Sequence, residues 1–225
     1  MQGLTTLDFQ ILHAIQRIFS CFVLDFLMPK ITALGNGGIL WILLAILLLI
    51  LPKTRKNGIQ LGVGCVGCGL IGNLFLKNVI ARNRPCWIED HTMLIAMPTD
   101  FSFPSGHTMV SFAAATVLWH WNRKVGIAAY LLAAVIAFSR LYLFVHFPSD
   151  VFAGTVIGVL IGIAAIKGTD WNQKAIPFAE SAENTARTDY NTIQLLGYEG
   201  SSYELYADNG TSPNPEDSLT IKTLS

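Results

Sequence analysis

Long stretches without a charged residue recur along the first 166 residues of this 225-residue sequence. Asp, Glu, Lys and Arg are absent from the runs 31–52, 57–76, 101–122, 125–139 and 151–166. A helix needs about 20 mainly apolar residues to cross a bilayer. Charged residues make up only 13% of the chain, about half the share found in soluble domains. The sequence therefore predicts an all-α, polytopic membrane helical bundle.

These runs divide into about six expected spans, preceded by an interfacial N-terminal helix. A GNGG sequence at 35–38 interrupts the first long run, so we expect a weaker first span over 19–34 and a second with its core at 39–51. The remaining spans are expected over 57–76, 106–122, 125–139 and 151–166. The segment 7–18 is amphipathic, a pattern typical of a helix that lies at the membrane surface.

The distribution of charge divides the chain into two parts. Residues 1–167 carry 12 Lys or Arg and 6 Asp or Glu, whereas residues 168–225 carry 3 and 9. We expect a membrane-embedded domain over 1–167 and an acidic, mostly disordered cytoplasmic tail over 168–225. The formal net charge of the whole chain is zero, which gives no reason to expect a nucleic-acid partner.

Basic residues in the short loops predict the orientation in the membrane. They follow the second, fourth and sixth expected spans: Lys53, Arg55, Lys56, Arg123, Lys124 and Lys167. Loops rich in Lys and Arg lie on the cytoplasmic side, so both termini are expected there. The long loop 81–105 then lies on the extracytoplasmic face. Its residues Arg82 and Arg84 oppose this rule and require another explanation, such as a bound anion.

Two polar motifs lie at the extracytoplasmic ends of expected spans. Lys77 and Arg84 are seven residues apart, which places them on one side of a helix if the helix continues between them. Ser105 is suited to cap the next helix, and Gly106 permits close approach of a ligand to the backbone. The free N–H groups of that helix end suit a phosphate, and His107 would lie beside it.

A third motif lies between the last two spans. Arg140 ends one span, and His146 and Asp150 are four residues apart at the start of the next, so the carboxylate could hold one ring nitrogen of the histidine. Each motif alone has a structural interpretation: snorkelling cations, an ordinary helix start, or a His–Asp pair that closes a turn. Together they supply the cations and the acid–base groups that phosphoryl transfer requires.

The three motifs, K-x6-R-P, P-S-G-H and S-R-x5-H-x3-D in that order, resemble the signature of the type 2 phosphatidic acid phosphatase superfamily. The resemblance covers about residues 7–167. It implies that His146 attacks phosphorus to form a phosphohistidine and that Asp150 orients His146. It also implies that His107 protonates the leaving oxygen and then activates water.

By the same resemblance, the phosphoryl group is bound by Lys77, Arg84, Ser105, Gly106 and Arg140. The family works without a metal or another cofactor. Cys65 and Cys68 form a C-x-x-C, but no second pair accompanies it and zinc needs about four ligands. We therefore interpret these two cysteines as packing residues.

A site at the outer membrane face suits a substrate with a buried tail and a phosphate at headgroup level. The resemblance to small bacterial members favours undecaprenyl diphosphate, hydrolysed to undecaprenyl phosphate in a bacterial cell membrane. Phosphatidylglycerophosphate and phosphatidic acid are the alternatives. A non-catalytic transporter or membrane scaffold that binds an anion is the alternative of another class. The sequence does not determine the oligomeric state.

Overall fold

The structure, a computed structural model, describes residues 2–192, 203–205 and 219–221. The α-helices are α1 Gln2–Phe19, α2 Phe22–Leu34, α3 Ile39–Ile50, α4 Arg55–Cys68, α5 Lys77–Ile80, α6 Pro85–Ile88, α7 Gly106–Trp121, α8 Arg123–Tyr142 and α9 Pro148–Thr192. A π-helical segment, Gly69–Leu76, joins α4 to α5. Two short strands, β1 Tyr203–Leu205 and β2 Leu219–Ile221, pair antiparallel.

Met1–Thr169 and Asp170–Ser225 form two compact units. The first is entirely helical in its regular structure, as the sequence predicts. α9 continues through Thr192, into the segment whose composition predicts disorder. The segments 193–202, 206–218 and 222–225 lie outside the described residues, so the disorder of the tail stays a prediction.

Three helical stretches in the described residues are long and apolar enough to cross a membrane: Pro52–Ile88, Arg123–Tyr142 and Pro148–Asp170. The helices 22–34 and 36–50 add a fourth candidate if this pair, bent by 41°, is one span. Gly37 and Gly38, both with positive φ, form the bend. The chain is therefore a membrane protein. The expected count of six spans stays a prediction, and its first two spans fall on this bent pair.

α7 lies at the centre of the helical unit. Its residues Met109, Ala113 and Val117 are buried on the sides that face α4, α8 and α9. α7 has 16 residues, about 24 Å of helix, which is short for an independent span. Apolar residues on the outer helices, such as Leu43 and Leu131, are exposed, as lipid-facing residues are in a bilayer.

Glycines on α9 bring it close to α7. A Cβ added to Gly158 would lie 2.3 Å from the carbonyl oxygen of Met109, and one added to Gly154 would lie 2.8 Å from that of Ser105. Small residues at four-residue spacing allow two membrane helices to approach at backbone distance. The N-terminal ends of α7 and α9 consequently lie side by side, and each carries one of the polar motifs.

α1 packs against the segment that joins α8 to α9. The buried face of α1 contains Asp8, Leu12 and Ile15, and the Gln16 amide donates a hydrogen bond of 2.6 Å to the carbonyl oxygen of Tyr142. Other apolar residues of α1 are exposed. The interfacial position of this helix stays a prediction.

Candidate active site

One cavity of about 560 Å³ collects side chains from all three polar motifs. Its lining includes Lys77, Arg84, Gly106, His107, Arg140 and His146. Ser105 and Asp150 are fully buried and do not line it. The backbone N–H of Ser105 donates to the carbonyl oxygen of Asp150 at 3.1 Å, so these two helix starts are directly linked.

The first motif reaches the cavity without the continuous helix that its spacing predicts. α5 ends at Ile80, and Ala81 takes a left-handed conformation with φ +45°. Arg84 consequently lies on extended backbone, so the expectation of one helix from Lys77 to Arg84 is wrong. The two cations nevertheless meet, because Lys77 Nζ and Arg84 Nη2 both bind the carboxylate of Asp100.

Asp100 is a residue that the motifs do not include. Its Oδ1 accepts from Arg84 Nη2 at 2.7 Å, and its backbone oxygen accepts from Arg84 Nε at 2.7 Å. Burial raises the pKa of Asp100, but the hydrogen bond from Lys77 and the charge of Arg84 outweigh that effect and lower the pKa to about 2. The ionised carboxylate of Asp100 therefore binds Lys77 and Arg84, two of the cations expected to bind phosphate.

The second motif starts α7 as expected, but Ser105 does not cap the helix with its side chain. Its Oγ accepts instead from Thr108 Oγ1 at 2.9 Å. Gly106 faces Asn73, whose Oδ1 would lie 2.7 Å from a Cβ added there. His107 lies in the first turn, and its Nε2 is 2.9 Å from Oδ1 of Asn36, in the bend between α2 and α3.

The third motif places His146 and Asp150 close together but not in direct hydrogen bond. His146 Nδ1 is 3.7 Å from Asp150 Oδ2. Ser102 bridges the gap: its Oγ donates to Asp150 Oδ2 at 2.5 Å and lies 3.4 Å from His146 Nδ1. Asp150 Oδ2 also accepts from the backbone N–H of Phe147 at 2.9 Å.

These contacts assign the tautomer of His146. Arg84 Nη1, which can only donate, is 3.1 Å from His146 Nε2, so Nε2 carries the lone pair and Nδ1 carries the proton. Burial, followed by the positive charge of Arg84, holds the pKa of His146 well below its ordinary value. The imidazole is therefore neutral near pH 7, with an unprotonated nitrogen beside the guanidinium of Arg84.

Arg140 is the third cation at the cavity. It is buried, and its Nη1 donates to Thr32 Oγ1 at 2.6 Å. Its Nε has no hydrogen-bond partner among the described residues. A buried donor without a partner costs about 1–3 kcal/mol, which is a cost of holding this guanidinium beside the cavity.

Several residues in or near the site belong to none of the three motifs and were not predicted from the sequence: Thr32, Asn36, Asp100, Ser102 and Asp8. One signal was available, since Asp100 is the sole acidic residue between 91 and 149. Arg82 also differs from expectation. It does not line the cavity but binds Asp8 and Asp150 with its two terminal nitrogens.

The chain is similar to several known proteins. Residues 57–174, which contain all three motifs, match the family model described as "PAP2 superfamily". An undecaprenyl-diphosphatase of Sulfolobus acidocaldarius is 37% identical over 129 residues, which cover 56% of this chain and 62% of that protein, less than two thirds of its length. An undecaprenyl-diphosphatase of Bacillus subtilis is 30% identical over 162 residues, which cover 72% and 82%.

A solved structure supports the same relationship. The crystal structure of a transmembrane PAP2 type phosphatidylglycerolphosphate phosphatase from Bacillus subtilis superimposes with a TM-score of 0.64 and 28% identity. The match covers 76% of this chain and 88% of that one. The similarity therefore extends beyond the motifs to most of the helical unit.

Proposed function

The chain belongs to the PAP2 superfamily, and from this premise we propose that it is an integral membrane phosphatase acting on a lipid phosphate or diphosphate. The observation that carries the proposal is the single cavity lined by two histidines and three cations. A phosphoryl dianion needs fixed positive charge, a nucleophile and a proton donor for its leaving group. These residues supply all three.

In the proposed first step, Nε2 of His146 attacks phosphorus and the bond from phosphorus to the leaving oxygen breaks. His107 gives a proton to that oxygen, so the oxygen carries no negative charge when the dephosphorylated lipid leaves. In the second step His107 takes a proton from water, and the resulting hydroxide attacks the phosphohistidine. The P–N bond breaks, inorganic phosphate leaves and His146 is regenerated.

Three cations would hold the phosphoryl oxygens during both steps: Lys77, Arg84 and Arg140. The carboxylate of Asp100 binds two of them in the structure, so the incoming phosphoryl group would replace a carboxylate with a more highly charged anion. Charge stabilisation of this kind is the main catalytic requirement of phosphoryl transfer. We therefore propose a metal-independent reaction.

Undecaprenyl diphosphate is the substrate we propose first, since two similar proteins carry the name undecaprenyl-diphosphatase. Apolar residues of the cavity lining, including Ile42, Cys65 and Val110, would suit the start of a lipid tail. Phosphatidylglycerophosphate is the alternative supported by the solved structure, and phosphatidic acid is a further one. An anion transporter or scaffold would use the cations but would not need Ser102 between His146 and Asp150.

We further propose that the cavity faces the extracytoplasmic side, because the basic loops at Lys53 and Lys124 lie at the opposite helix ends. The contact between Gln16 and Tyr142 supports placing α1 on the same side as the cavity. If α2 and α3 form one bent span, the N-terminus lies on the extracytoplasmic side. This placement differs from the cytoplasmic N-terminus that six spans predict. The C-terminus remains cytoplasmic.

The test is phosphate release by the purified protein from lipid diphosphates, lipid monophosphates and phosphatidylglycerophosphate. We expect His146→Ala to lose about a thousandfold or more in kcat and to lose the acid-labile ³²P-labelled intermediate, whereas His107→Ala slows its breakdown. His120→Ala, at the far end of α7, is the matched control and keeps full activity. Near wild-type turnover by His146→Ala, or EDTA inhibition that magnesium reverses, would contradict the mechanism.

A further inference from the structure

We propose that Asp8, on the N-terminal helix, is a positioning residue for the reaction, acting through Arg82 on Asp150 and so on His146. This inference rests on the proposed phosphatase function. α1 lies outside the 57–174 range that matches the family, and Asp8 belongs to none of the three motifs. The N-terminal helix would therefore supply part of the catalytic environment in addition to packing against it.

The position of Asp8 in α1 is the first observation. Asp8, Leu12 and Ile15 form the face of α1 that packs on the body, and Asp8 is only 2% exposed. Aspartate is rarely buried to this degree unless it is paired. A carboxylate on the packing face beside Leu12 and Ile15 is not needed for docking the helix, because leucine or alanine would dock at lower desolvation cost.

The partners of Asp8 are the second observation. Arg82 Nη2 donates to Asp8 Oδ2 at 2.7 Å, while Arg82 Nη1 donates to Asp150 Oδ1 at 2.6 Å. One guanidinium thus bridges two buried carboxylates. Its plane is also fixed from the side, since its central carbon lies 4.0 Å from the centre of the Phe147 ring.

Asp8 also holds the residue that precedes Asp150. The backbone N–H of Ser149 donates to Asp8 Oδ1 at 3.0 Å, and the Ser149 hydroxyl donates to Asp8 Oδ2 at 2.5 Å. This N–H belongs to the first turn of α9, where it has no partner within the helix. Asp8 therefore fixes Asp150 twice: through the guanidinium of Arg82 and through the backbone next to it.

The charge of this cluster explains why Asp8 would affect catalysis. Asp8, Arg82 and Asp150 together carry a net charge of −1, so Asp150 stays negative towards Ser102 and His146. If Asp8 were neutral, the single positive charge of Arg82 would cancel that of Asp150. His146 gains positive character as its nitrogen bonds to phosphorus, and a nearby negative charge stabilises that change. Substrate binding depends on the other cations.

The experiment uses Asp8→Asn in the full-length protein. Asparagine keeps the size and one acceptor oxygen but loses the charge. We expect kcat on a lipid diphosphate to fall about 10- to 100-fold, the usual effect of losing a buried supporting partner, together with the rate of phosphohistidine formation. KM and the inhibition constant of inorganic phosphate should change less than about threefold, because uniform binding is untouched.

Leu12→Ala is the matched structural control. Leu12 is fully buried on the same face of α1 and has an apolar side chain without charge, so this variant should lower the melting temperature without the selective loss of kcat. If Asp8→Asn does not fold, Arg82→Lys provides the second test. Lysine keeps the charge but lacks the rigid planar pair of terminal nitrogens that fixes the two carboxylates relative to each other, so the same selective loss is expected.

Two outcomes would overturn the inference. The first is a folded Asp8→Asn, or Arg82→Lys, with kcat within about twofold of wild type. The second is an Asp8→Asn protein that loses kcat only together with a changed KM and a lowered melting temperature, as Leu12→Ala would if its effect were purely structural. Turnover that survives His146→Ala would instead overturn the proposed function itself, whereas turnover that needs His146 but ignores Asp8→Asn overturns this inference alone.

Discussion

Ser102 makes the contact with His146 that sequence spacing assigns to Asp150. Four residues of separation place His146 and Asp150 on one face only if both belong to a helix, but α9 begins at Pro148. His146 precedes the helix, and its ring therefore lies 3.7 Å from the carboxylate. The hydroxyl of Ser102 fills the gap, donating to Asp150 and accepting from His146 Nδ1.

Replacement of Ser102 by alanine should consequently lower kcat. We expect a fall of about 10- to 100-fold with little change in KM, because the imidazole keeps its place beside Arg84 but loses the hydroxyl that links its Nδ1 to Asp150. Ser111→Ala is the control: Ser111 is equally buried and accepts from Trp41 Nε1 at 3.0 Å in the helical core. Steady-state kinetics of both variants would measure the difference, and equal kcat values would refute this role of Ser102.

At the same scale, Asp100 binds two of the cations that we propose hold the substrate. Its pKa of about 2 means that it is ionised at every pH at which the protein would work. Under the proposed function, the substrate would therefore displace the carboxylate from Lys77 and Arg84, since protonation does not release it. The structure explains in this way how two buried cations are stabilised before a phosphoryl group arrives.

At the scale of helices, the close contact of α7 and α9 sets the distance between the second and third motifs. Gly154, Gly158 and Gly162 lie against the backbone or side chains of α7, with a Cβ at Gly162 predicted to meet the carbonyl oxygen of Ala113 at 2.8 Å. His107 lies in the first turn of one of these helices and Asp150 in the first turn of the other. A larger residue in this contact would separate the two starts.

Gly158→Ala tests this dependence. The added methyl would lie 2.3 Å from the Met109 carbonyl oxygen, so the helices must move apart, and we expect a loss of about 1–3 kcal/mol in stability with a drop in kcat. Gly168→Ala in the same helix has open space around its Cβ and should be neutral. Tryptophan fluorescence during thermal unfolding would measure the stability of both variants. A Gly158→Ala protein as stable as Gly168→Ala would disprove the packing argument.

For the whole molecule, the sequence predicted the helical class, the membrane body and the motifs, because hydropathy and motif spacing are local properties. The errors arise where a local rule meets a three-dimensional constraint. The left-handed Ala81 breaks the helix before Arg84 although no glycine or proline marks the position. Hydropathy also does not show the bend of 41° between the first two expected spans. Contacts such as Asp8 to Ser149, 141 residues apart, leave no periodic signal.

The orientation of the whole chain in the membrane is argued from two features: the basic loops and the contacts of α1. The basic loops predict which helix ends are cytoplasmic. The contacts of α1 with Tyr142 and Arg82 support our proposal that the N-terminal helix lies on the same side as the cavity. The two statements agree only if the number of crossings is odd, so that the N- and C-termini lie on opposite sides. A lipid diphosphate in the outer leaflet could then reach the cavity directly.

Single cysteines on a Cys21→Ser background test this arrangement, since Cys21 is the exposed native thiol among the described residues. An impermeant maleimide applied to intact cells should label cysteines placed at Gln10 and Asp90, but should label one at Lys124 only after permeabilisation. All three positions are exposed, and retained phosphatase activity would show that the variants fold. Labelling of Lys124→Cys but not Asp90→Cys in intact cells would show that the orientation is the opposite of the one proposed. The cavity would then not face a substrate in the outer leaflet. Labelling of Asp90→Cys without Gln10→Cys would contradict the shared face of α1 and the cavity, because the bond from Gln16 to Tyr142 could not then form across the bilayer.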